Sequence, residues 1–145
     1  HGVRPAALRD TFDDGRTTGP HEALDIPAPM RTPVFAVEDG VVAKLFTSQR
    51  GGLTVYHFDP SSRYVYYYAH LDAYPPGLRE GQQLKRCALV GYVGVSGNSP
   101  ADVPHLHFAI FKLEAERQWW RGAPVNPYQA LRETSAAPCP LSAGG

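Results

Sequence analysis

Prolines and glycines divide this sequence into short segments and leave little room for long helices. Fourteen residues of each type are spread over 145 positions, and proline ends or kinks a helix because it lacks an amide hydrogen. The segment Ile26-Pro27-Ala28-Pro29 cannot be helical, since proline also favours extended geometry in the residue before it. The length corresponds to one domain with its own core. The sequence therefore predicts a single, mainly β domain with an antiparallel sheet and little helix.

Segments rich in aromatic and β-branched residues alternate with turn signals. The first two predicted strands flank Asp39-Gly40, and Asp-Gly is a strong hairpin signal. The next two flank the turn at 59–62 and predict a second hairpin. A loop rich in Gly, Ser, Asn and Pro at 94–104 separates the last two. The predicted strands cover residues 33–37, 41–46, 53–58, 63–70, 88–93 and 105–112.

The remaining segments give the domain boundaries. Residues 1–20 are polar and are interpreted as an irregular N-terminal arm, which could cover a groove on the domain. The folded domain is expected at 21–131, with one short helix at 127–132. Residues 132–145 contain mostly Ser, Ala, Pro and Gly, which predicts a flexible tail.

Charge and hydropathy exclude several kinds of partner. The chain has 14 basic and 14 acidic side chains, so no overall field attracts it to nucleic acid or to an acidic membrane. No apolar run reaches the roughly 18 residues that a membrane-spanning helix needs. We therefore expect no nucleic-acid partner and no transmembrane segment in this chain.

Cys87 and Cys139 are the only cysteines. Neither has a second cysteine two residues away, which excludes a thiolate zinc knuckle. A disulfide between them, in an oxidising compartment, and two unpaired thiols are both consistent with the sequence.

Four of the six histidines fall in three short motifs within or beside predicted strands. Because side chains two positions apart on a strand share a face, His105 and His107 point together. The same alternation places Tyr66, Tyr68 and His70 on one face of their strand. The motifs are His21-Glu22-Ala23-Leu24-Asp25, Tyr68-Ala69-His70-Leu71 and Pro104-His105-Leu106-His107-Phe108.

Imidazole and carboxylate together suit zinc, and three protein ligands with one open position form a catalytic site. The first motif begins like the helical zincin signature His-Glu-x-x-His, but its fifth residue is Asp25 and Pro27 opposes a helix. Glu22 is therefore not favoured as a general base. A lone His-x-His pair is weak evidence, and His70 alone could bond a tyrosine in the sheet. The co-occurrence of the motifs favours a zinc hydrolase, whereas His57, without a partner motif, is interpreted as structural.

With these motifs in this order, the sequence resembles the lysostaphin-type (LytM-like) zinc endopeptidases of bacterial cell walls. That family has the pattern His-x-x-x-Asp, then Tyr-x-His-Leu, then His-Leu-His-Phe. The resemblance runs from about residue 20 to 130 and includes the segments 32–34, 36–42, 77–84, 90–94 and 125–127.

The resemblance implies an antiparallel sheet of the duplicated-hybrid-motif type with a substrate groove across it. It implies one zinc ion held by His21, Asp25 and His107, with His70 and His105 as catalytic residues that do not ligate the metal. The implied reaction is hydrolysis of peptide bonds in peptidoglycan stems or cross-links, with the D-Ala–diaminopimelate bond favoured. Such an enzyme works in the periplasm or outside the cell.

Zinc lowers the pKa of a bound water toward about 7 and polarises a scissile carbonyl. One nearby imidazole can take the water's proton and another can stabilise the oxyanion. His105 is favoured as the base and His70 as the oxyanion stabiliser, with the exchange of roles left open, and Asp72 is a candidate supporting group. The alternative function is a catalytically silent relative that binds cell wall or activates an amidase.

The sequence departs from the family pattern at three positions. Ala23 and Cys87 stand where glycine is common, and Ala109 stands where many members carry glutamate. None of these changes removes a proposed ligand or catalytic histidine.

Overall fold

Strands dominate the protein, as its sequence predicts. The computed structural model describes residues 1–16, 19–132 and 138–140, in which the helical elements are a 3-10 turn at Pro5–Ala7 and a short helix, α1, at Tyr128–Arg132. No helix in these ranges is both long enough and apolar enough to cross a membrane. The strands are β1 Gly15–Arg16, β2 Gly19–Pro20, β3 Leu24–Pro27, β4 Pro33–Phe35, β5 Gly40–Ser48, β6 Gly52–Phe58, β7 Tyr64–Ala73, β8 Gln83–Leu84, β9 Leu89–Val93, β10 His105–Leu113 and β11 Gly122–Val125.

The main sheet is antiparallel, and β10 is the second strand from one end of it. Its strand order is β11-β10-β7-β6-β5-β8, and β3 pairs with the first half of β10 along the same edge that β11 uses further on. On the opposite edge of β10 lies β7, which then continues past it to pair with β9. The three histidine motifs, on or next to β3, β7 and β10, therefore meet at one place in the sheet.

One face of the sheet forms the hydrophobic core. Tyr68, Leu71 and Phe108 are nearly or fully buried there with the valines of β6 and β9. His57 belongs to this core and is fully buried, with Nδ1 3.1 Å from the Tyr68 hydroxyl and Nε2 3.3 Å from the Asp39 carbonyl oxygen. Both ring nitrogens therefore have partners, which confirms the structural interpretation of His57.

The prediction of a hairpin at 33–46 is wrong, although both strands exist. β4 pairs with β9, whereas β5 pairs with β6 and β8. Asp39 and Gly40 do form a turn, but the strand that follows does not fold back onto β4. It begins beside β8, where Gly40 lies opposite Leu84. The second predicted hairpin forms, since β6 and β7 pair from Phe58 and Val65 onward.

The N-terminal arm packs in part against the core face of the sheet. It contains the 3-10 turn and the small β1–β2 sheet, so it is less irregular than predicted. Val3, Pro5 and Leu8 line an apolar cavity of about 380 Å³ together with Tyr68 and Phe108. The start of the arm thus lies against the core face and not against the face that carries His107.

A disulfide joins Cys87 and Cys139, which resolves the two states that the sequence left open. Cys87 has a φ of 76°, in the left-handed region where glycine is the favoured residue. The predicted helix at 127–132 is confirmed by α1. The prediction of a flexible tail falls largely on 133–137 and 141–145, which lie outside the described residues.

Candidate metal centre

Backbone pairing brings two of the predicted ligands together. In the antiparallel pair of β3 and β10, Asp25 lies directly opposite His107. Residues facing each other across such a pair have neighbouring side chains on the same face. The Asp25 and His107 side chains are about a fifth exposed, so this face remains accessible to solvent.

His21 reaches the same place from the segment before β3. Its side chain is 4% exposed, and Nδ1 lies 2.8 Å from the carbonyl oxygen of Thr11. A carbonyl can only accept, so Nδ1 carries the proton and Nε2 is left with its lone pair. Leu24–Pro27 is extended, as Pro27 led us to expect, which excludes the helical zincin arrangement.

Three ligand atoms form a nearly equilateral triangle. His21 Nε2 lies 3.0 Å from Asp25 Oδ1 and 3.3 Å from His107 Nδ1, and Asp25 Oδ1 lies 3.4 Å from His107 Nδ1. Zinc bonds of 2.0–2.1 Å in tetrahedral geometry separate ligand atoms by about 3.3–3.4 Å. The donor types and the triangle therefore both fit one zinc ion with a fourth position open, and this is a group of three that could hold a metal.

His105 stands beside this triangle. Its Nδ1 donates to the carbonyl oxygen of Val103 at 3.0 Å, and its Nε2 lies 3.6 Å from Asp25 Oδ1. The lone pair of Nε2 thus faces the carboxylate side of the site. As the strand alternation predicts, His105 and His107 project from the same face of β10.

His70 is the second imidazole beside the triangle, but the predicted alternation on its strand is wrong. Tyr68 and Leu71 both point into the core, although they are three residues apart. Their pairing partners on β6 are Val55 and Leu53, which are only two residues apart, so β7 contains one extra residue between Tyr68 and Leu71. His70 adopts a φ of 61° at this bulge, and its ring turns to the metal face, 5.1 Å from the ring of His105.

The burial and the charges of the site change two pKa values. Burial opposes ionisation of Asp25, but the hydrogen bond from His107 and the electrostatic interactions with His21, His105 and His107 outweigh it and lower the pKa of Asp25 to about 2. Burial lowers the pKa of His70, against the hydrogen bond to Ser96. Asp25 is therefore an anion at neutral pH, which is the form that ligates a cation.

Sequence reasoning missed the groups that orient the histidines. Thr11 bonds His21, Val103 bonds His105, and the carbonyl oxygen of Ser96 accepts from His70 Nδ1 at 2.8 Å. These acceptors are backbone carbonyls, which any residue type provides. The signal that existed for two of them was the loop at 94–104, rich in glycine and serine.

A close contact between two turns holds Ser96 in place. Gly97 has a φ of 77°, and a Cβ atom there would lie 2.4 Å from the amide nitrogen of Gly52. The Ser96 hydroxyl in turn accepts from the amide of Leu53 and donates to the carbonyl of Leu71. The loop is thereby fixed to both strands that flank the bulge.

The structure also places the two alanines that depart from the family pattern, and Asp72, the candidate supporting group. Ala23 and Ala109 are fully or almost fully buried. Asp72 forms an ion pair with Arg31, whose guanidinium also lies over the ring of Tyr92. The described contacts of the Asp72 side chain are thus with Arg31 and not with a histidine of the site.

Comparisons with known proteins show which family the sequence matches. The sequence profile of peptidase family M23 matches residues 19–127. The chain is 32% identical over 134 residues to the L-Ala–D-Glu endopeptidase of Bacillus subtilis, covering 87% of this chain and 40% of that protein. It is 34% identical over 88 residues to the peptidoglycan DD-endopeptidase ShyC of Vibrio cholerae, covering 61% of this chain and 19% of that protein.

A solved structure gives the same result for the fold. The putative glycyl-glycine endopeptidase LytM from Ruminococcus gnavus superimposes with a TM-score of 0.74 at 33% identity, covering 87% of this chain and 53% of that one. The chain spans less than half the length of the two curated relatives. The match over most of the sequence shows that the chain belongs to peptidase family M23, the lysostaphin-type and LytM-like metallopeptidases that its motifs resemble.

Proposed function

We propose that the protein is a zinc-dependent endopeptidase that hydrolyses peptide bonds of peptidoglycan in the cell envelope. His21, Asp25 and His107 would hold the zinc ion. The observation that carries the proposal is the triangle of His21 Nε2, Asp25 Oδ1 and His107 Nδ1, with edges of 3.0–3.4 Å, beside two further imidazoles. A structural zinc site has four protein ligands, so a set of three with an accessible face favours catalysis.

The site residues have separable tasks in this proposal. Zinc would supply a Lewis acid for water and for the scissile carbonyl. His105 would accept the proton of the attacking water at Nε2, because its Nδ1 proton is held by the Val103 carbonyl. The Ser96 carbonyl accepts from Nδ1 of His70 in the same way and leaves Nε2 of His70 facing the site. His70 would stabilise the oxyanion as an imidazolium, in which Nε2 is also a donor.

The D-Ala–diaminopimelate cross-link is the bond that we favour. ShyC, which is 34% identical to the chain, is named as a DD-endopeptidase, and this supports cleavage between two D-centres. The Bacillus relative is named for the L-Ala–D-Glu bond, so the two bonds are the natural pair to compare. Mass spectrometry of products released from defined cross-linked muropeptides distinguishes them. Release of monomers with intact stems would support cleavage of the D-Ala–diaminopimelate bond. Release of stems cut after L-Ala would show instead that the enzyme cleaves the L-Ala–D-Glu bond.

The zinc content of purified variants tests the ligand set. We expect about one zinc per chain in the wild type and loss of stoichiometric zinc in His21→Ala, Asp25→Asn and His107→Ala, since two remaining ligands bind the ion poorly. His1→Ala is the matched control, because its ring lies against Phe35, away from the site. Full zinc occupancy in all three variants would refute the ligand set. A stoichiometrically loaded wild type that cleaves no muropeptide would instead support the silent, wall-binding alternative.

A further inference from the structure

A row of aromatic side chains extends from the candidate metal centre across the same face of the sheet. Ring centroids lie 5.8 Å apart from His107 to Tyr67, 4.8 Å from Tyr67 to Tyr56 and 4.5 Å from Tyr56 to Trp119. The row then branches to two more exposed rings. We call Phe46, Tyr56, Tyr67, Trp119 and Trp120 the aromatic shelf.

The outer end of the shelf is exposed but well defined. Trp120 is 61% exposed and Phe46 is 42% exposed, and Trp120 stands edge-on against Trp119 at 5.2 Å. Two consecutive turns shape the connection between β10 and β11, with hydrogen bonds from the Arg117 amide to Glu114 and from the Arg121 amide to Gln118. Exposed aromatic rings on a fixed frame are typical of binding surfaces, because they bury much area at little cost in conformational entropy.

We infer that the aromatic shelf binds N-acetylated sugar rings of the glycan strand that carries the peptide under attack. This inference rests on the proposed function, which places a stem peptide at His105 and His107. Stem peptides are built from alanine, glutamate and diaminopimelate, whose small or charged side chains do not complement aromatic rings. Pyranose rings do, because their faces present C–H groups to the negative face of an aromatic ring.

The dimensions of the shelf are compatible with this occupant. Three ring contacts of 5.8, 4.8 and 4.5 Å lead from His107 to Trp119. Four residues of extended peptide span at most about 13–14 Å. The sugar ring extends beyond the peptide end to which it is attached, so a sugar on a stem of that length comes within reach of Trp119, against which Trp120 stands, while the scissile bond lies at the metal centre.

Intrinsic fluorescence gives a direct test, because Trp119 and Trp120 are the only tryptophans in the chain. The probe is the β-1,4-linked tetramer of N-acetylglucosamine, which contains no peptide bond between amino acids and is titrated into the full zinc-loaded chain. We expect a saturable fluorescence change in the wild type. Calorimetry should show affinity at least about fivefold weaker in Trp120→Ala and largely retained in Trp120→Phe. The absence of a saturable change, or an unchanged affinity in Trp120→Ala, would overturn the inference.

Kinetics separates this inference from the proposed function. We expect Trp120→Ala to raise KM for a cross-linked muropeptide that carries its sugars, with kcat unchanged, and to leave KM for the same peptide without sugars unchanged. Met30→Ala, which removes an equally apolar side chain that is 44% exposed, is the matched control. An equal effect on both substrates would refute the sugar site while leaving the peptidase intact. Saccharide binding without any hydrolysis would refute the proposed activity while leaving the shelf intact.

Discussion

The carbonyl oxygen of Thr11 accepts a hydrogen bond of 2.8 Å from Nδ1 of His21 and thereby fixes which ring nitrogen faces Asp25. The same residue contacts Asp25 directly, because its hydroxyl accepts from the Asp25 amide at 2.9 Å and lies 3.4 Å from the Ala23 carbonyl. A residue of the arm thus orients the segment that carries two of the proposed ligands.

Thr11→Val should weaken zinc binding about fivefold, because it removes the hydroxyl bonds to the Asp25 amide and the Ala23 carbonyl, worth about 1 kcal/mol. The carbonyl bond to His21 stays in this variant. Thr11→Ser retains the hydroxyl and should restore the affinity. Competition with a chelator of known zinc affinity measures the effect, and equal affinities for all three proteins would contradict the orienting role.

His105→Ala should keep one zinc per chain and lower kcat/KM at least about a hundredfold, since a positioned base typically contributes that much. Zinc content and muropeptide hydrolysis are measured on the same sample, with His1→Ala as the control. An unchanged rate would remove His105 from the mechanism. Loss of zinc would show instead that His105 is a ligand.

Acidification should destabilise the domain through His57. Burial lowers the pKa of His57 to about 4, against the opposing effects of the Asp39 carbonyl and the charges of Asp59 and Asp39. The unfolded chain therefore binds the proton more readily between about pH 6.5 and 4, and the free energy of unfolding falls as pH drops through this window. The rings of Tyr66 and Tyr68, which also face His57, are neutral throughout this window, and burial raises the pKa of both still further above it.

The expected loss is up to about 3 kcal/mol, from urea unfolding at a series of pH values. His57→Gln supplies a donor and an acceptor of similar reach without a titrating group, so its stability should depend less on pH in this window. The same pH dependence in the variant and the wild type would assign the effect to other groups.

Cys139→Ser should lower the free energy of unfolding by about 2–4 kcal/mol, because the disulfide to Cys87 closes a loop with a sequence separation of 52 residues. Adding a reductant should bring the wild type to the level of the variant. Zinc content should not change, since neither cysteine contacts the proposed ligands. A variant as stable as the oxidised wild type would show that the cross-link contributes nothing.

The fold class followed from the sequence because its signals are local. Turn residues and strand-forming residues predicted most strands and the hairpin of β6 and β7. The hairpin proposed around Asp39-Gly40 failed because a turn signal shows where the chain bends and not which strand it will meet. The partner of β4 is β9, more than 50 residues away, and that pairing depends on the whole core.

The site was less accessible to local reasoning. The spacing of His105 and His107 predicted a shared face, but the ligand set came from the family resemblance. Alternation placed His70 with Tyr68, whereas one extra residue in β7 turns it to the other face. The φ of 61° at His70 belongs to a bulge that depends on how β7 pairs with β6, and no local signal specifies that pairing. The hydrogen bond between His21 and the Thr11 carbonyl could not be predicted either, because every residue type provides that acceptor.

The register of β3 against β10 has a consequence for how this protein can change. Asp25 and His107 face each other because their two strands are paired, and not because a loop folds over them. The connection at 114–121 can therefore be lengthened or rewritten while the paired strands keep both side chains in place, whereas the loop at 94–104 has less freedom, because its Ser96 and Val103 carbonyls orient His70 and His105. The outer part of the proposed aromatic shelf and the Asp25–His107 pair thus belong to separate parts of the chain, so the first can change without loss of the second.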